Sequence, residues 1–265
     1  MRLLFAVLFL AFATPARAEL APMNATGVTF GHVHLNVSDV AAQNKFWSTY
    51  FDGKPFKHGS QAGIRLPGLL ILLTPQAPSA PSQGSAIDHF GFKVPDLQAF
   101  LTKWRAGGLT VQNEITGMEG TPASNLLGLD GLGIEVQQDS SIAVPAFANH
   151  VHYQTLENAA LQRWYIDAFG LESFVRGRLA TSANAPGMNL SFSGAREATA
   201  PTKGRAIDHI GFEVGDLAAQ VRRLEAQGIK ADGPIKDVKG AGLKSVFVTD
   251  PSGASIELTQ GLAAY

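Results

Sequence analysis

IDHIGFEV (207–214) is a short run of β-branched and aromatic residues that carries a histidine near its start. Versions of it recur as GHVHLNV (31–37), DHFGFKV (88–94) and NHVHYQT (149–155). The histidines His32, His89, His150 and His209 stand 57 (89 − 32), 61 (150 − 89) and 59 (209 − 150) residues apart. A period this regular means one structural unit used four times, and it settles the architecture before any local reading does. It also sets four imidazoles at equivalent points of four equivalent strands.

Working outward from these strands, each unit reads as strand, helix, then further strands. In the fourth, Asp216 caps a helix whose Leu217, Val221 and Leu224 recur at i, i+4 and i+7, and Gly228 stops it. The second repeats this with Asp96, then Leu97, Leu101 and Trp104, then Gly107-Gly108. Phe46, Trp47, Tyr50 and Phe51 before Gly53 give the buried stripe of the first. Leu161, Trp164, Tyr165 and Ala168 before Gly170 give that of the third. The fourth closes on a hairpin, 243–249 and 255–260 around Asp250-Pro251-Ser252-Gly253, and the second on a shorter one around Asp130-Gly131. Units one and three use Pro67-Gly68 and Pro186-Gly187 instead, so a two-unit block reads as having been doubled.

Residues 1–18 stand apart. Arg2, an apolar run from Leu3 to Ala13 and Ala16-Arg17-Ala18 read as a signal peptide cleaved after Ala18. The run is shorter than the roughly 20 residues that cross a bilayer. The expectation is an exported protein, periplasmic or secreted, with no membrane attachment after cleavage. Cysteine is absent, which excludes disulfides and thiolate ligands. Without Arg2 and Arg17 the chain has 19 basic residues (21 − 2) against 22 acidic ones, and no basic block, so nucleic acid is not an expected partner. The stretch 139–145 is the natural boundary, giving domain one as 19–145 (units one and two) and domain two as 146–265 (units three and four).

WYIDAFGLE (164–172), IDHIGFEV (207–214) and VTDPSGASIELTQ (248–260) resemble the vicinal-oxygen-chelate superfamily, which contains glyoxalase I, extradiol dioxygenases, fosfomycin-resistance enzymes and metal-free bleomycin-binding proteins. The resemblance spans essentially the whole chain after residue 18. It implies an α+β fold of four βαβββ modules, forming two domains with cup-shaped mixed sheets and a metal at the floor of each cup. It fixes the fold and leaves the reaction open, because one architecture hosts unlike chemistries.

In that family the ligands come from the first and last strands of a module. The matching first-strand residues are His32, His89, His150 and His209, and the matching last-strand residues are Glu135 and Glu257. Modules one and three have no acidic residue from 53 to 87 or from 173 to 196, and their last strands offer Leu70 and Leu72, or Asn189 and Ser191. A glyoxalase-type set of two histidines and two glutamates is therefore not expected. Two sites of two histidines and one glutamate are, resembling an extradiol-dioxygenase triad. The resemblance to that triad implies Fe(II) or Mn(II), with Ni(II) or Zn(II) as alternatives. Either neighbouring modules pair, or first pairs with fourth and second with third.

His34 and His152, two residues beyond His32 and His150, share their strand face and are the candidate catalytic groups for proton transfer. His58 reads as a surface residue. Arg176, Arg178, Arg196, Lys203 and Arg205 read as an ordinary solvated face. The function expected is a metal-dependent enzyme acting on a small molecule that chelates through adjacent oxygens. The alternatives are a glyoxalase-like lyase or isomerase and a metal-free binding protein. A homo-oligomer is compatible with all three.

Overall fold

The computed structural model describes residues 20–240 and 242–265, so the expected signal peptide lies outside the described residues. All four repeats fold as the same βαβββ unit. Module one supplies β1 (Val28–Val37), α1 (Val40–Phe51), β2 (Lys54–His58), β3 (Gln61–Leu66) and β4 (Leu69–Pro75). Module two supplies β5 (Ile87–Val94), α2 (Leu97–Ala106), β6 (Thr110–Thr116), β7 (Pro122–Leu127) and β8 (Gly133–Gln138). Module three supplies β9 (Phe147–Thr155), α3 (Asn158–Phe169), β10 (Glu172–Arg176), β11 (Leu179–Ala185) and β12 (Met188–Gly194). Module four supplies β13 (Ile207–Val214), α4 (Leu217–Ala226), β14 (Lys236–Val238), β15 (Leu243–Thr249) and β16 (Ser255–Gln260). Among the described residues no helix is long and apolar enough to cross a membrane.

The helices start where the capping residues say they should. Asp39, Asp96 and Asp216 each accept hydrogen bonds from backbone N–H groups of the first turn, whereas α3 has no side-chain cap. The fourth-module hairpin turns on Asp250, whose buried carboxylate accepts from the Ser252 and Ala254 N–H groups at 2.8 and 2.9 Å. The Tyr165 hydroxyl of α3 donates to the same carboxylate at 2.8 Å, which ties module three to module four.

The strands assemble into two eight-stranded sheets, β14-β15-β16-β13-β1-β4-β3-β2 and β10-β11-β12-β9-β5-β8-β7-β6. Module one therefore shares a sheet with module four, and module two with module three. Of the two pairings left open by the sequence, the sheets take first with fourth and second with third, so the strands on either side of residue 145 do not close a sheet of their own. The linkers show why. Residues 139–146 join modules two and three directly, so β9 lies beside β5. The longer linkers 76–86 and 195–206 cross between the sheets side by side, bridged at Ser85 and Ala200.

Modules one and two, and modules three and four, meet through their helical backs instead. Trp47 of module one stacks on Phe90 of module two at 5.9 Å and 20°, and Phe51 lies 4.5 Å from Phe92. Phe169 of module three stacks on Phe212 of module four at 4.5 Å and 25°. Each such pair adds about 0.5–1.5 kcal/mol beyond its buried area. One large apolar core results, and the opposite sheet faces carry the polar side chains together with a small apolar cluster of Leu70, Leu72, Leu243, Leu262 and Tyr265.

This interleaving has a direct test. Residues 20–145 and 146–265, expressed separately, each carry half of both sheets and are expected to lack a cooperative monomeric unfolding transition. Co-expressed, they should give a 1:1 complex. A monomeric, cooperatively unfolding 20–145 fragment would contradict the sheet order.

Candidate metal centres

Register brings the histidines together. In the antiparallel pair β1–β13, His32 lies opposite Gly211 and His34 opposite His209. In β9–β5, His150 lies opposite Gly91 and His152 opposite His89. The parallel neighbours β16 and β8 then set Glu257 beside Gly211 and Glu135 beside Gly91. Because alternate strand residues share a face, all of these groups project from the side away from the helices.

The glycines are sterically required. A Cβ on Gly211 would stand 2.1 Å from His32 Cε1, and one on Gly91 2.0 Å from His150 Cε1. The ring of one strand occupies the space that a side chain on its partner would fill. The H-x-G strands of modules two and four therefore fit against the H-x-H strands of modules one and three.

Two four-residue clusters follow. His32, His34, His209 and Glu257 each offer one donor atom, all within 4.8 Å of one another, as do His89, Glu135, His150 and His152. Glu257 Oε2 lies 3.2 Å from His32 Nε2 and 3.4 Å from His209 Nε2. Glu135 lies 3.7 Å from both His89 Nε2 and His150 Nε2. The six histidines present a buried nitrogen with no hydrogen-bond partner: Nε2 of His32, His89, His150 and His209, and Nδ1 of His34 and His152. The 3.2 Å approach of Glu257 to His32 lacks hydrogen-bond geometry and does not relieve this. Each orphan costs about 1–3 kcal/mol, and a divalent cation would satisfy all of them at once. The donors fit such an ion.

Surrounding groups aim the donors. Asp208 Oδ1 is 2.6 Å from His209 Nδ1, and Asp88 Oδ1 is 2.7 Å from His89 Nδ1. These contacts turn both Nε2 atoms inward, as a carboxylate behind a ligating imidazole does. Thr74 Oγ1 lies 2.8 Å from His34 Nε2 and Ser193 Oγ 2.7 Å from His152 Nε2, which turns the Nδ1 atoms inward instead. Asn149 Oδ1 is 2.9 Å from His150 Nδ1. The sequence reading overlooked these supports. Asp88 and Asp208 had a signal, since aspartate directly precedes the histidine in modules two and four.

Burial works to lower His89, yet its hydrogen bond to Asp88 and the negative charges of Glu135 and Asp88 outweigh it and push it to about 9. His209 is raised for the same reasons, by Asp208 and Glu257. Burial would raise Glu257, but His209 and His32 hold it well below the usual carboxylate range. Burial first, and then the charge of His89, lowers His152 to about 3. His34 and His150 are also well below the ordinary value, in each case chiefly through burial.

The arginine expectation needs correcting. Arg178 and Arg196 are exposed, but Arg176 is only 3 % exposed. Its Nε donates to Ser191 Oγ at 2.9 Å, and its Nη1 lies 3.4 Å from His150 Nδ1 and 3.5 Å from Glu119. Strand β10 ends at this residue and carries it under the second–third cluster. His58 is half-buried and stacks on Tyr265 at 4.3 Å rather than standing free in solvent. A cleft of about 460 Å³ reaches Asp88, His89, Glu135 and His152. Another of about 530 Å³ reaches Asp208 and Phe247, the latter edge-on to His209 at 5.0 Å.

Residues 148–258 match the model of the Glyoxalase/Bleomycin resistance protein/Dioxygenase superfamily. That segment of the chain is similar to the superfamily. It comprises modules three and four, which modules one and two repeat. Glyoxalase I from Zea mays has a similar structure, with a TM-score of 0.70 at 15% identity, covering 89% of this chain and 94% of that one. A putative dioxygenase from Bacillus subtilis subsp. subtilis str. 168 superposes with a TM-score of 0.65 at 12% identity, covering 91% of this chain and 86% of that one. At these identities the likeness is one of fold. A search of curated proteins gave no match.

Two measurements check the site. A group raised on folding stabilises fully below its unfolded value and loses that contribution as pH rises through the folded one. The melting temperature of chelator-treated protein should therefore fall between about pH 6.5 and about pH 9 through His89, reinforced by His209. His89→Gln should flatten the slope, and a level wild-type profile would contradict the charge assignment. Gly211→Ala should cost about 1–3 kcal/mol in urea unfolding by displacing His32. An unchanged midpoint would deny the ring-over-glycine packing.

Proposed function

We propose that the chain is a metal-dependent enzyme of the vicinal-oxygen-chelate type, exported through residues 1–18, that acts on a small molecule chelating through adjacent oxygens. The observation that carries the proposal is the pair of buried donor clusters whose unpartnered atoms converge. When bound, a divalent ion would polarise a substrate carbonyl or hydroxyl as a Lewis acid.

In this reading His32, His209 and Glu257 hold one ion, and His89, His150 and Glu135 the other. His34 and His152 serve each as a fourth donor rather than as proton carriers. A histidine lowered to about 3 stays neutral at physiological pH and is a weak base there, while its Nδ1 lone pair remains free to coordinate. Asp88 and Asp208 keep the ligating imidazoles in the required tautomer.

The donor chemistry favours a dioxygenase-type site with Fe(II) or Mn(II) over a glyoxalase-type one. A second carboxylate would have to come from β4 or β12. Register puts Leu72 beside His34 and Ser191 beside His152 there, and neither is acidic.

The test is metal analysis of chain loaded in turn with Fe(II), Mn(II), Ni(II) and Zn(II), followed by activity screening against catechols and α-hydroxycarbonyls. At least one ion per chain should be retained, and Glu257→Gln should release the one held by modules one and four. Less than one ion per chain, with a metal content and melting temperature indifferent to Glu257→Gln, would favour a metal-free binder.

A further inference from the structure

The two clusters are alike in ligands and unlike in charge. Around the first–fourth cluster the neighbouring strand supplies Leu70 and Leu72, packed with Leu243, Leu262 and Tyr265. Lys203 and Lys236 line the cleft there from exposed positions. Beside the second–third cluster the equivalent strand supplies Asn189 and Ser191, and Arg176 is pressed behind them. Its Nη1 is 3.4 Å from His150, and its Nη2 is buried with no hydrogen-bond partner. Glu119 stands 3.5 Å from Nη1 and is shared with Lys93 at 2.9 Å, which Asp139 also holds at 3.2 Å.

The guanidinium has little room to withdraw. Arg178 fastens the β10–β11 turn to the β6–β7 turn, donating to the Thr116 and Gly117 carbonyls at 3.2 Å and from its own N–H to Met118 at 2.9 Å. A divalent ion among His89, Glu135 and His150 would thus lie near a fixed buried guanidinium that Glu119 meets at Nη1 and whose Nη2 is unpartnered. Like charges at short range in a poorly solvated site repel strongly. A guanidinium with a free donor is also the side chain best matched to a carboxylate oxygen. The cleft that reaches His89, Glu135 and His152 is lined by the amides Gln83, Gln112, Asn113, Asn125 and Gln154, and Arg176 lines a second cleft with Lys93, Glu119, Asn149 and Asn189, so both openings suit a polar ligand.

We propose that the second–third site takes its cation together with a small carboxylate-bearing ligand, one of whose oxygens accepts from Arg176 Nη2. The first–fourth site takes its cation alone. This rests on the reading of both clusters as cation sites, and it assigns the second–third site to α-hydroxy or α-keto acids rather than to uncharged diols.

Equilibrium dialysis of Mn(II) against the full metal-free chain, with and without glycolate, tests it. Without glycolate one ion should bind tightly; with it, a second should bind at least tenfold more tightly than before. Glu135→Gln should remove only the second event. Arg176→Gln should let the second ion bind without glycolate and abolish the glycolate effect. Should that variant fold poorly, Arg176→Lys keeps the charge and loses the fork, so the second ion stays weak and glycolate gives less than a tenfold gain. Two ions bound equally and indifferently to glycolate, or a glycolate effect that survives Arg176→Gln, would overturn the proposal. No Mn(II) in any form would overturn the underlying reading as well.

Discussion

At the centre of each sheet an imidazole lies over a bare stretch of backbone, and this packing makes the rest possible. His32 over Gly211 and His150 over Gly91 bring two strands from different modules close enough to share one cluster of donors. The same fit puts His34 against His209 and His152 against His89, with ring centroids 4.4 and 4.6 Å apart. A side chain at either glycine would drive the strands apart or turn the ring away. The carboxylates of Glu257 and Glu135 would then face no nitrogen. The small residue is thus part of the site, although it carries no functional group.

Burying so much polar chemistry on one face is sustained by what lies on the other. The opposite side of each strand is anchored by the aromatic stack of Trp47, Phe90, Phe51 and Phe92, and by Phe169 on Phe212. That core fixes backbone positions, so unsatisfied imidazoles cannot relax by moving their strands. Aspartates, hydroxyls and one asparagine then decide which nitrogen of five of the rings faces inward. Strain is concentrated where a cation would remove it, as in a site organised before its ligand arrives.

Local propensity and periodicity made much of this legible. The aspartate caps, the apolar stripes of the four helices and the fourth-module hairpin at 243–249 and 255–260 are found where the residues place them. The first-strand histidines and the two glutamates were marked by position in the repeat, and all six lie in the two clusters. Arg176 was not legible. Nothing local distinguishes it from Arg178, because its burial comes from a strand edge meeting a different module. Nothing local marks Thr74 and Ser193 either, since each contacts a histidine of its own module 40 or 41 residues away.

The chain by itself determined the four-fold repeat, the unit's internal order and the residue types that can serve a cation, because those follow from short-range pattern and chemical identity. It left open which modules combine. An H-x-H strand fits either H-x-G strand equally well, so local complementarity is degenerate. Only the folded molecule chose first with fourth and second with third, where the short linker at 139–146 and the long crossings at 76–86 and 195–206 make that the arrangement the chain adopts. The leucines beside one cluster and the guanidinium beside the other belong to modules one and three themselves, and the pairing decided which H-x-G strand and which glutamate each of them meets.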